Sequence, residues 1–209
     1  MPLKIKLITK KTDVFAKSLD NPIFFNIIRR IIAGDQHNTK RFVTKLLEKY
    51  KVQSIIDIGC GTGDFFYTNF KGFYLGIDNN LRFINYAKIK YCQCNNASFR
   101  CEDILISQYL KNKQFDGVLF ISMMHHFSNE NLGNIFRRIK KLKPKVIIIA
   151  DITPNPPGLL RRIMAKLDRG LFLRTPKEKY QIISQYFRIK HTQIIHSRLA
   201  IQYGIVCIP

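Results

Sequence analysis

An apolar run that ends in an acid and then sets a glycine at every second position constrains this chain more than any other feature. Residues 55–65 read I-I-D-I-G-C-G-T-G-D-F. The run shows no apolar–polar alternation, which marks a strand covered on both faces, the habit of parallel sheets. Gly59, Gly61 and Gly63 let the backbone turn sharply at the strand end and let a ligand approach the main chain. In a doubly wound sheet, ligands sit beyond the carboxyl ends of the strands, near the switch in strand order.

The residue types around the glycines restrict that ligand. A dinucleotide register G-x-G-x-x-G would need glycine at position 64, where this chain has Asp64. A carboxylate at the mouth of the following helix would repel the pyrophosphate that a helix N-terminus attracts. A P-loop fails as well, because no Gly-Lys-Ser/Thr follows. The ligand should therefore lack phosphate at this loop and carry positive charge. Asp78 ends the next strand-like run, about twenty residues on, where an acid can accept hydrogen bonds from both hydroxyls of a ribose. Glu102 and Asp103 end the third run.

Apolar runs at 54–58, 73–77, 97–101, 117–121 and 146–151 alternate with helix-compatible segments at 79–90 and 129–142. Repeated β-α-β units with right-handed crossovers give a doubly wound sheet. Residues 177–187 read as a further helix, and the runs 188–196 and 200–208 follow with no helix between them, so they pair antiparallel. The expected fold is α/β: a seven-stranded, mostly parallel sheet with helices on both faces and a C-terminal antiparallel hairpin. Residues 14–50 read as two helices, in which Phe24, Phe25, Ile27, Ile28, Ile31 and Ile32 make one apolar stripe. A single domain spans 1–209, with 1–50 as a helical lid and 152–187 as an insertion on the acceptor side. Asn155-Pro156-Pro157-Gly158 reads as a turn.

In order, these motifs resemble those of class I S-adenosylmethionine-dependent methyltransferases, over residues 54–151. D-I-G-C-G-T-G is similar to the family's glycine motif, G-I-D to its ribose-binding acid and C-E-D-I to its adenine-binding segment. F-D-G-V-L-F-I-S-M-M-H-H-F is similar to the fourth-strand motif, and V-I-I-I-A-D to the fifth strand. The resemblance implies S-adenosylmethionine as cofactor. Gly59, Cys60, Gly61 and Gly63 would line its methionine and ribose portion, with Asp57 either fixing the loop or facing the ammonium group. Asp78, beside Asn79, would bind the ribose. Asp103 would take the adenine amino group, with Glu102 and Ile104 flanking the ring, and Ile121 and Ser122 would touch the cofactor from the fourth strand.

Methyl transfer from a sulfonium needs an aligned acceptor and excluded water. A hydroxyl acceptor also gains from a base, and His125 and His126 are the candidates. The alternative is that both are structural. The family's amino-group enzymes often carry Asn/Asp-Pro-Pro-aromatic after the fourth strand; here Ser-Met-Met-His-His stands there, which favours a small or lipid-like acceptor methylated at oxygen. Arg161, Arg162, Lys166, Arg169, Arg174, Lys177 and Lys179 either hold an anionic acceptor or form a solvated face. Arg169 and Arg174 are the preferred anchors, because guanidinium pairs bidentately with carboxylate or phosphate. Phe24 and Phe25 either pack in the core or face the acceptor.

With 35 Lys+Arg against 14 Asp+Glu, the formal charge of +21 favours anionic partners. RNA methylation is thus the alternative activity, and contact with a membrane surface also fits. A non-catalytic binding protein on the same fold is a third reading, against which the intact glycine loop and Asp78 argue. No run is long enough to span a bilayer. The basic N-terminus MPLKIKLITKK lacks the apolar core and cleavage site of a secretory signal, while a mitochondrial-type leader stays open. Five scattered cysteines without an export signal fit a reducing cytoplasm. Cys92, Cys94 and Cys101 lack the paired spacing of a structural zinc site, so no metal is expected.

Overall fold

The computed structural model describes residues 21–33, 36–66, 70–154, 171–197 and 201–209. Two helices, α1 (Pro22–Ala33) and α2 (His37–Lys49), precede the first strand, β1 (Ser54–Ile58). Then come β2 (Phe73–Asp78), α3 (Leu81–Lys90), β3 (Ala97–Cys101) and β4 (Gly117–Ile121). A 3₁₀ turn at Met124–His126 leads into α4 (Asn129–Lys141) and β5 (Val146–Ile152). The chain closes with α5 (Pro176–Ser184), β6 (Arg188–His196) and β7 (Ile201–Ile208).

The strands form one seven-stranded sheet in the order β3-β2-β1-β4-β5-β7-β6. β1 pairs in parallel with both β2 and β4, so the strand order reverses at β1 and their carboxyl ends flank the switch point. β7 runs antiparallel to both β5 and β6, which makes the antiparallel hairpin expected from the sequence.

The central strands β4 and β5 are largely apolar because they feed two cores at once, whereas the edge strands β3 and β6 carry polar residues on exposed positions. Ile147 and Ile149 of β5 join Ile56, Ile58, Val118 and Phe120 on one face, under Leu132, Ile135, Phe136 and Ile139 of α4 and Ile183 of α5. Ile148 and Ala150 join Ile55, Tyr74 and Leu119 on the other, under Phe42, Val43, Leu46 and Leu47 of α2 and Ile84 and Ala87 of α3. The alternation of neighbouring residues between faces follows from the two-residue period of a strand.

Local chemistry sets the ends of the helices. Asn80 caps α3 by accepting from Arg82 and Phe83, and Ser128 caps α4 by accepting from the Asn131 N–H. α5 starts with a reciprocal capping box between Thr175 and Glu178, with Pro176 in the first turn, where its missing N–H costs nothing.

The structure departs from the sequence reading in three places. Among the described residues no helix follows the glycine motif: 61–65 is a series of turns. α2, expected as part of a lid, is a layer of the core, with Phe42, Val43, Leu46 and Leu47 buried against the sheet. α5 likewise contributes Ile183 to the core, and the turn at 155–158 lies outside the described residues.

Candidate active site

The glycine motif spends its own backbone donors. The N–H groups of Gly59 and Cys60 both donate to the carbonyl of Ile77, at 2.8 and 3.0 Å. Gly61 N–H donates to Asp78 Oδ2 at 2.9 Å, and Gly63 N–H to the Cys60 carbonyl at 2.9 Å. Phosphate-binding loops work by leaving such donors open to the anion. Here four of them are already satisfied, which removes pyrophosphate as the ligand more firmly than Asp64 does. All three glycines have left-handed φ, between 54° and 77°, a region that residues with a Cβ enter at a cost.

Beside this loop a narrow cleft of about 40 Å³ opens along the carboxyl ends of β1, β2 and β3. Gly59, Asp78, Asn79, Glu102, Asp103 and Ile104, all expected from the sequence, line it. Sequence reasoning missed Met123 and Phe127, which line it from the fourth-strand side. The Met123 side chain lies across the bare face of Gly59, where a Cβ would come within 2.1 Å of its sulfur.

Asp78 is the centre of the cleft. Its Oδ1 accepts from Asn80 N–H at 2.8 Å while Oδ2 accepts from Gly61, so the acid and the loop hold each other. Burial pushes its pKa up, against the opposing pull of those two backbone donors. Each oxygen keeps a second lone pair for a ligand hydroxyl. Asp103 Oδ1 is engaged by Leu105 N–H at 2.8 Å, and Glu102 lies 3.7 Å from Arg100 Nε.

Other expected residues sit behind the cleft wall. Asp57 is buried and accepts from the Tyr74 hydroxyl at 2.6 Å; burial, opposed by that bond and reinforced by nearby Asp78, pushes its pKa to about 7. It therefore lies under the loop. Cys60 is buried, its thiol pushed well up by the same burial. Gly63 presents its bare face to the rings of Tyr91 and Phe99, not to the cleft. These rings stack on each other at 5.4 Å. Ile121 is packed with the α2 and α3 core, and Ser122 is tied sideways, its N–H donating to Ala150 and its hydroxyl accepting from Gln202. Thr62 hydroxyl donates to Asn26 of α1 at 2.8 Å, which anchors that helix to the loop.

The two histidines part company. His125 is 1% exposed, with Nδ1 2.5 Å from Asp151 Oδ1; a carboxylate only accepts, so Nδ1 carries the proton. His126 is exposed, its ring 4.2 Å from that of His125. Asp151 in turn meets Lys179 at 3.4 Å. Lys179 is fully buried and its pKa is pulled down by that burial. It also donates to the carbonyls of Asp151 and Ile152. It is thus a strut under β5 and not a surface cation for an acceptor.

Arg174 is the clearest correction. Nε and one Nη donate to Asn129 Oδ1, and the remaining N–H groups donate to the carbonyls of Met124, Phe172 and Phe127, at 2.7–3.0 Å. A guanidinium has five N–H donors, and all five are engaged. Arg174 therefore clamps the 3₁₀ turn that carries the histidines, helped by Phe172 N–H donating to the His125 carbonyl, and keeps nothing for a substrate. Arg161, Arg162, Lys166 and Arg169 lie outside the described residues, as does the Phe25 side chain. Phe24 is half-buried on α1.

Residues 55–145 match a family model described as a methyltransferase domain. That match spans a little under half of the chain and makes residues 55–145 similar to methyltransferase domains. "Probable tRNA methyltransferase 9B" of Bos taurus is 30% identical over 105 residues, which cover 48% of this chain and 20% of that protein. The chain thus spans about a fifth of that relative's length. Among solved structures, magnesium protoporphyrin IX methyltransferase from Synechocystis PCC 6803 with bound SAH is similar at a TM-score of 0.67 and 16% identity, over 83% of each chain. The methyltransferase domain of bacterial CtHen1 is similar at a TM-score of 0.66 and 16% identity, over 84% of this chain and all 100% of the other. These two likenesses are likenesses of fold.

The donor set fits the cofactor class. An acid with free lone pairs, a phosphate-refusing loop and flanking carboxylates suit a nucleoside that bears positive charge. Small-molecule sites run roughly 300–1,000 Å³, wider than this cleft, and Met123, an unbranched and adaptable side chain, forms one of its walls. Among the described residues no helix is long and apolar enough to cross a membrane, and no group of three or more His, Cys, Asp and Glu is placed to hold a metal ion.

Proposed function

We propose that this chain methylates RNA, holding S-adenosylmethionine in the cleft around Asp78. Bound there, the cofactor supplies an electrophilic methyl on a sulfonium; the protein supplies alignment and dryness. In this reading Asp78 accepts from the ribose hydroxyls, while Glu102, Asp103 and Ile104 enclose the base. Gly59 and Met123 border the methionine portion, and Asp57 supports the loop from below. The observation that carries the reading is the Asp78 carboxylate, locked to Gly61 and Asn80 inside an acidic cleft whose loop has four of its N–H groups already engaged within the protein.

The choice of RNA as acceptor is supported by the charge of +21 and by the likeness to the relative named as a tRNA methyltransferase. A small or lipid-like acceptor methylated at oxygen is the second reading, favoured by the Ser-Met-Met-His-His sequence after β4. Its preferred anchor Arg174 is fully engaged elsewhere, which weakens it. In either case His126, exposed on the turn that Arg174 clamps, is the residue suited to take a proton from the acceptor. α1, anchored through Asn26, serves as the cover.

Methyl-labelled S-adenosylmethionine supplied with purified tRNA tests the acceptor. The expected result is label that ribonuclease releases from the precipitable fraction. Label found only in small organic-soluble products of a metabolite extract would assign the second reading instead.

A further inference from the structure

A groove of about 390 Å³ runs along the outer face of α4, lined by Leu105, Asn131, Asn134, Arg137, Arg138 and Lys141. The α4 members recur at three- and four-residue spacings and so form one stripe. Ten residue steps of 1.5 Å, from Asn131 to Lys141, make it about 15 Å long. The stripe offers two carboxamides, two guanidiniums and an ammonium, with no carboxylate. Its cations have no acidic partner among the described residues. A solvated helix face ordinarily mixes both signs at this spacing; on α4 only Glu130, at the very start, is acidic.

The groove is also built and not merely charged. Arg138 Nη1 donates to the Ser107 carbonyl at 3.0 Å, which fastens α4 to the segment after β3. Arg137 Nη2 donates to Asn134 Oδ1 at 2.7 Å, which fixes the guanidinium plane. Each arginine keeps further N–H groups for a ligand. Leu105 in the groove wall follows directly on Glu102, Asp103 and Ile104 in the cleft wall, so one stretch of chain separates the two.

That adjacency joins opposite electrostatics. The cleft carries Asp78, Glu102 and Asp103, which attract a cationic nucleoside and repel phosphates. A polyanionic acceptor can reach such a cleft only if its backbone is gripped on a separate cationic surface nearby. Guanidinium, ammonium and carboxamide groups are the side chains that bind phosphate and sugar oxygens of nucleic acids. We propose that the α4 groove is where the sugar-phosphate backbone of a single-stranded stretch of the RNA acceptor docks. This rests on the reading of the chain as an RNA methyltransferase.

The test measures binding of a mixed-sequence single-stranded RNA oligonucleotide to the full chain across a salt series. It compares the wild type, Arg137→Gln/Lys141→Gln, Arg137→Glu/Lys141→Glu, and Arg41→Glu/Lys45→Glu on the exposed side of α2. The last matches the charge change of the second variant at a distant place. Losing two phosphate contacts should flatten the slope of log affinity against log salt by about 1.4. The glutamine pair should bind roughly tenfold more weakly at low salt, and the glutamate pair more weakly still, while the α2 pair stays within about threefold of wild type. Wild-type slope and affinity in both α4 variants would overturn the groove and leave RNA methylation standing. Equal losses in the α2 and α4 glutamate pairs would overturn it as well, since overall charge would then explain binding. No wild-type binding even at low salt would bring down the RNA reading itself. Unchanged melting temperatures and retained S-adenosylhomocysteine binding identify variants that are folded.

Discussion

Gly61 and Asp78 stand seventeen residues apart, and the Gly61 N–H meets Asp78 Oδ2 at 2.9 Å. The acid that faces the ligand is therefore also the latch of the loop that faces it. Replacing Asp78 with Ala should free the Gly61 and Asn80 amides together. Their hydrogen exchange, followed by NMR or mass spectrometry, should speed up by about tenfold or more, the scale of one lost charge-assisted bond. Unchanged protection at Gly61 would separate the latch from the acid.

Asp57 gives the fold a pH signature. Its folded pKa of about 7 lies above the ordinary 3.8, so the native state holds a proton that the unfolded chain releases. The stability it lends is complete below about pH 4, falls as pH rises toward 7 and levels off beyond. At 1.36 kcal/mol per unit the loss is on the order of 4 kcal/mol. Asp57→Asn should flatten that decline in urea unfolding midpoints taken across the range. Tyr74→Phe, which removes the bond that favours the carboxylate, should extend the decline to higher pH. An identical pH profile in wild type and Asp57→Asn would remove Asp57 as its source.

Gly59 and Met123 should be coupled. Gly59→Ala places a Cβ 2.1 Å from the Met123 sulfur and also strains a residue at φ +74°, the latter by about 1–2 kcal/mol. Met123→Ala removes the first problem and leaves the second. The double variant should therefore recover part of the stability and cofactor affinity that Gly59→Ala loses, with a coupling of about 1 kcal/mol or more. Strict additivity in melting temperature and titration would mean the two do not touch.

The histidines should fail in different ways. His125→Ala deprives the buried Asp151 of its partner and should lower stability by about 2–3 kcal/mol. His126→Ala, on the exposed side of the turn, should leave melting and cofactor affinity intact and lower turnover by about 100-fold, as loss of a general base does. Full turnover in His126→Ala would exclude it from proton transfer.

The strands were legible because parallel strands buried on both faces write themselves as continuous apolar runs, and residues 146–151 are such a run. The cleft was half legible. Asp78, Glu102 and Asp103 stand at strand ends, where topology alone sends side chains toward the ligand. Met123 and Phe127 were not, because their direction depends on a 3₁₀ turn that local sequence does not announce. Arg174 was misread for a related reason: Asn129, its main partner, lies 45 residues away. Lys179 looked like a surface cation of α5 until Asp151 arrived from β5. Gly63 belongs to an aromatic contact with Tyr91 and Phe99 that no short motif encodes.

Calorimetric titration of the wild type and Asp78→Ala with S-adenosylhomocysteine, and of the wild type with NAD, probes the cleft most directly. One saturable site is expected in the wild type, with affinity lower by more than about tenfold in Asp78→Ala and no binding of NAD. Absence of heat with S-adenosylhomocysteine together with tight NAD uptake would contradict that expectation.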